Sequence, residues 1–227
     1  MHASFHEMLA IGLSILIVLV YYFFLFRQGR RSAEGTIHTL NARVRLLWVR
    51  HVMSNESKDL LAVQTLRNMV MAATFKATSS LVLIVGTLSL VGQADVRAQT
   101  WQVLSLAGAQ LPQWWLAKLL CLLLVLMVAF FAFVMVVRQL NHVMFMVSLP
   151  KAAAQGAFAP DRVAQYLNLA GMYYTIGMRA FLVMVPLAFW LFGPWFLVAA
   201  TLGLIVVLYG MDRAPLASDH KDISIEL

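Results

Sequence analysis

Between Arg179 and Asp212 the chain carries no acidic or basic side chain. A helix spanning that tract would be about 50 Å long at 1.5 Å per residue, whereas the hydrocarbon core of a bilayer is about 30 Å thick. A single straight span does not fit it. The sequence Phe192-Gly193-Pro194 supplies a break, because glycine permits a tight turn and proline ends a ladder of helical hydrogen bonds. The tract therefore predicts a hairpin of two spans, 176–192 and 194–210. Composition agrees with a chain that lies mostly in lipid: 62% of residues are hydrophobic and 12% charged, against roughly half and a quarter in soluble domains.

Three further apolar stretches, 8–26, 77–92 and 119–137, bring the expected spans to five. The first lacks a basic leader and a small-residue cleavage site, and Arg27, Arg30 and Arg31 follow it. It reads as an uncleaved anchor rather than a signal peptide. Charge orients the set. Arg27, Arg30, Arg31, Arg43, Arg45, Arg50, Lys58, Arg67 and Lys76 lie between spans one and two, and Arg138, Lys151, Arg162 and Arg179 between spans three and four. Between spans two and three only Arg97 and Lys118 occur, with Asp95. By the positive-inside rule the N-terminus lies outside and the C-terminus in the cytoplasm, with the inner membrane as the location. The net charge of +7 then reflects basic loops, and nucleic acid is not expected as a partner.

Several helices are expected to outrun the membrane. No proline interrupts 59–91, with Ser57 as a candidate cap, and 114–149 continues until Pro150. Pro160-Asp161 can start another long helix. Leu40, Val44, Leu47 and Trp48 recur at helical spacing in 36–53. The expected fold is all-α: a bundle of about five transmembrane helices with cytoplasmic helical extensions over 1–213, and a polar tail over 214–227. Small residues, Ala73, Ala77 and Ser80, then Ala199, Ala200 and Gly203, are candidates for close helix association and a homo-oligomer. The lone cysteine, Cys121, reads as a packing residue.

One group of polar residues stands out as a candidate binding site. Gln64 and Asn68 are four apart, with Arg67 beside them; Arg138, Asn141 and His142 repeat the arrangement, and Tyr173 and Arg179 fall on the fourth span. With Arg43 and Arg45 they would form a basic, acid-poor lining at one depth, with Arg67 at the convergence of the helices. Arginines there also serve orientation and headgroup contact, so membrane lipids are partners under either reading. His2, His6 and Glu7 have a spacing that can hold a metal, but at an exposed terminus no metal is expected. His51 and His142, without a CxxCH sequence, are read as structural rather than as haem ligands. No cofactor is expected. No GxSxG, HExxH, phosphate loop or dinucleotide fingerprint occurs, so no catalytic residue is assigned. Glu7, Glu34, Glu56, Asp59, Asp95 and Asp161 are all placed outside the apolar cores, which argues against proton-coupled pumping.

The stretch LAVQTLRNMVMAA at 61–73, with RLLWV at 45–49, IGMRA at 176–180 and WLFGP at 190–194, resembles the DUF599 family of uncharacterised membrane proteins. The resemblance implies that Trp48, Gln64, Thr65, Arg67, Asn68, Arg179 and Gly193-Pro194 belong to the family pattern, and it implies no activity. The expected function is an oligomeric membrane protein that binds or conducts a small anion near its cytoplasmic side. The alternative is a non-transporting scaffold that holds partners through its cytoplasmic helices.

Overall fold

The computed structural model describes residues 2–29, 37–92, 112–150 and 152–212; the expected polar tail lies outside them. Among the described residues all regular structure is helical. Six α-helices follow in order: α1 (His2–Gly29), α2 (Ile37–Met53), α3 (Asp59–Gly92), α4 (Pro112–Val147), α5 (Pro160–Trp190) and α6 (Pro194–Asp212). Four segments are long and apolar enough to cross a membrane: Ser4–Leu25, Asp59–Gly92, Trp114–Val147 and Pro160–Trp190. The fifth expected span is the shorter apolar helix Pro194–Gly210. Such helices mark a membrane-embedded protein.

The hairpin forms where proline and glycine place it. Leu191, Phe192 and Gly193 close the end of α5 with short-range bonds to the carbonyls of Ala188, Phe189 and Trp190 at 3.1–3.2 Å. Gly193 takes a positive φ of 154°, which a Cβ disfavours, and Pro194 opens α6 at the position where a missing N–H costs nothing. The start of α3 differs from expectation. Asn55, not Ser57, organises it: the Asn55 side chain accepts bonds from the Ser57 N–H at 3.2 Å and hydroxyl at 2.8 Å. A short 3-10 turn, Glu56–Lys58, then leads into the helix.

Helices α3 and α4 have 34 and 36 residues, so each is about 50 Å long and exceeds the hydrocarbon core by about 20 Å. They run from the hairpin end, where α5 turns into α6, to an opposite end rich in arginine. The core changes character along that length. At the arginine end Val49, Val52 and Met53 of α2 pack with Leu66 of α3, Leu140 and Val143 of α4, and Val163 and Leu167 of α5. Further along, small residues allow close approach: Ala77, Ala129 and Ala180 surround Phe133, and a Cβ on Gly177 would lie 2.8 Å from the Phe133 ring. Ala73, Ala77 and Ser80 are buried within the copy, so this stripe serves packing inside one chain rather than association. Cys121, expected in the packing, is exposed on the outside of α4. Helix α1 packs along α6, through Tyr21 and Leu25 against Leu204 and Leu208.

Candidate functional site

The polar residues singled out above do not converge within one copy. Gln64, Arg67 and Asn68 are all exposed, because α3 turns Ala62 and Leu66 inward and leaves this face outward. Arg67 is thus not buried at a junction of helices. Arg138, Asn141 and His142 are exposed on α4, and Arg43 on α2. Tyr173 packs against the core at the arginine end. Arg179 crosses to α1, where it lies 5.6 Å from the Tyr22 ring centre and donates to the Tyr22 hydroxyl at 3.3 Å. Nearby, the ammonium of Lys76 sits 5.1 Å from the centre of the Tyr174 ring. These cation–π contacts hold two charges on aromatic faces at the level where the uncharged part of the bundle ends.

Arg45 alone among the predicted arginines of α2–α4 is drawn into the fold. Its guanidinium lies across α5 where Gly171 leaves room, since a Cβ there would come within 2.5 Å of it. It donates to Asn168 at a long 3.4 Å. Partial burial pulls its pKa below the usual arginine value, yet a guanidinium remains charged at neutral pH. Arg50 is ion-paired to Asp161 at 2.9 Å. Among the described residues no carboxylate pairs with Arg43, Arg45, Arg67 or Arg138. The arginine end therefore presents a surface with positive charge to spare.

The most enclosed polar group lies at the other end and was misjudged from the sequence. Glu7 is buried (4% exposed) and Lys118 wholly so. The Lys118 ammonium donates to one Glu7 carboxylate oxygen at 2.7 Å, and the Trp190 indole N–H donates to the other at 2.8 Å. Lys118 also lies 5.3 Å from the centre of the Trp190 ring. One carboxylate thus ties α1 to both α4 and α5. Glu7 belongs to a face of α1 that includes Ala10, Ser14 and Tyr21, all buried, at the spacing of one helical stripe. Two clues to the pair were present in the sequence. Glu7 begins that stripe, and Lys118 is an isolated cation opening an apolar run at the same expected depth. Among the described residues no group of three metal-ligating side chains occurs.

A family model described as "Protein of unknown function, DUF599" matches residues 9–216. No curated protein and no solved structure matches the chain.

Proposed function

The chain belongs to the DUF599 family, and on that premise we propose that it is an oligomeric membrane protein that binds a small anion where copies meet at the arginine end. The observation that carries this reading is the outward face of α3. Gln64, Arg67 and Asn68 stand exposed there, and Arg67 has no carboxylate partner among the described residues. Core packing of one chain does not require them on that face. A neighbouring copy would bring two such faces together, and amides with guanidinium groups make an anion-attracting lining. Orientation follows from the basic segments: the arginine end is cytoplasmic, and the membrane is the inner membrane.

Native mass spectrometry in mild detergent, followed by anion flux in liposomes, tests both parts. An oligomer that passes or retains anions, and loses this with Arg67→Glu, supports the proposal. A monomer at all concentrations removes it. An oligomer indifferent to anions moves the preference to a scaffold. That second reading draws support from Leu60 (70%), Leu61 (59%) and Phe145 (77%), large apolar side chains exposed at the same end.

A further inference from the structure

The attachment of α1 differs from that of every other long helix. Helix α4 packs along both α3 and α5, and α2 and α6 pack on α5, whereas α1 packs along α6. The contacts of Tyr21 and Leu25 hold its far part. Its beginning is held by Glu7, through Lys118 on α4 and Trp190 on α5. Between these two attachments lies Ser14, 7% exposed, whose hydroxyl is buried without a hydrogen-bond partner. Buried hydroxyls in native proteins are nearly always bonded, so an orphan one calls for a reason.

We infer that α1 is a latched helix: the Glu7–Lys118–Trp190 cluster is a polar catch whose release lets the beginning of α1 swing on its α6 contact and admits water to Ser14. Several observations bear on this. The catch is made of charges, and an ion pair in an enclosed site fixes one geometry while intact and favours exposure of both partners once broken. An apolar contact of similar size would loosen gradually. Removing either charge leaves the other buried and uncompensated, which drives it toward water. In the closed arrangement Glu7 and Lys118 together carry no net charge, as a site among apolar helices requires.

The test uses the full chain in lipid vesicles with Cys121→Ala and Ser14→Cys, and follows modification by a membrane-impermeant maleimide. With the catch intact the new thiol should react slowly. Glu7→Gln and Lys118→Met should each speed the reaction at least tenfold, and Trp190→Phe, which keeps the ion pair, should give an intermediate rate. Equal rates in the parent and these variants would overturn the latch. If the charge variants fail to insert, Trp190→Phe decides: a rate no faster than the parent's counts against it. Acceleration of a similarly buried thiol away from α1, in the Thr87→Cys form on α3, to the same extent, would mark general loosening and also overturn it.

Discussion

At the hairpin end two opposite charges lie 2.7 Å apart and almost wholly enclosed, while at the arginine end Arg43, Arg67 and Arg138 stand exposed and, among the described residues, form no salt bridge. Enclosure leaves a charge no choice: without a partner it cannot remain, so each member of the pair fixes where the other must be. Exposure leaves the choice open, and an arginine in water or among headgroups needs nothing from its own chain. The enclosed charges therefore describe how the protein holds itself together. The exposed ones describe what it offers to something else.

The largest effects should come from the enclosed pair. Glu7→Ala or Lys118→Ala strands one buried charge and should cost about 3–5 kcal/mol, read as a lower melting temperature in mild detergent. A melting curve like the parent's would mean that water reaches the pair. Next comes a contrast on one helix. Gly177→Ala drives a Cβ into the Phe133 ring and should cost about 1–3 kcal/mol through overpacking. Gly171→Ala meets only the flexible tip of Arg45, which can move aside, so its cost should stay below about 1 kcal/mol, offset by the better helix propensity of alanine. Equal losses at the two glycines would show that Arg45 is held as rigidly as Phe133.

At the arginine end the expected effects on folding are small. The Arg50–Asp161 pair is more than half exposed on both sides, so Arg50→Ala should cost about 0.2–1 kcal/mol, with most of that lost in added salt. Arg67→Ala should leave the melting temperature within the range of an ordinary surface change, about 0.5 kcal/mol either way, while weakening association by native mass spectrometry. A large fall in melting temperature would mean that Arg67 is engaged in folding after all, and the contrast between the two ends would fail there.

The hairpin, the long helices and their breaks were legible because each rests on local chemistry. Pro194 and Pro160 start helices wherever the chain places them, and an apolar run needs burial or lipid whatever its neighbours are. The Glu7–Lys118 pair was not, because its members are 111 positions apart and each looks ordinary alone. A carboxylate near a helix start reads as exposed until a cation on another helix is known to reach it. The outward face of α3 was hidden for a related reason. The spacing of Gln64, Arg67 and Asn68 puts them on one side, but only the packing of Ala62 and Leu66 decides which way that side turns. Ala73, Ala77 and Ser80 posed the same ambiguity, and the neighbour that fills their stripe belongs to the same chain.

Helices α3 and α4 run without interruption from one end of the molecule to the other, and that continuity makes them levers. A stiff rod about 50 Å long cannot bend its tip without moving its base. A tilt of about 5° at the hairpin end, small enough for packed side chains to absorb, carries the far tip through about 4 Å by that same length. That distance is comparable to the width of a small hydrated ion's contact shell. Lys118 occupies one arm and Arg138 stands toward the other end of the same rod, so a rigid tilt that began at the first would displace the second.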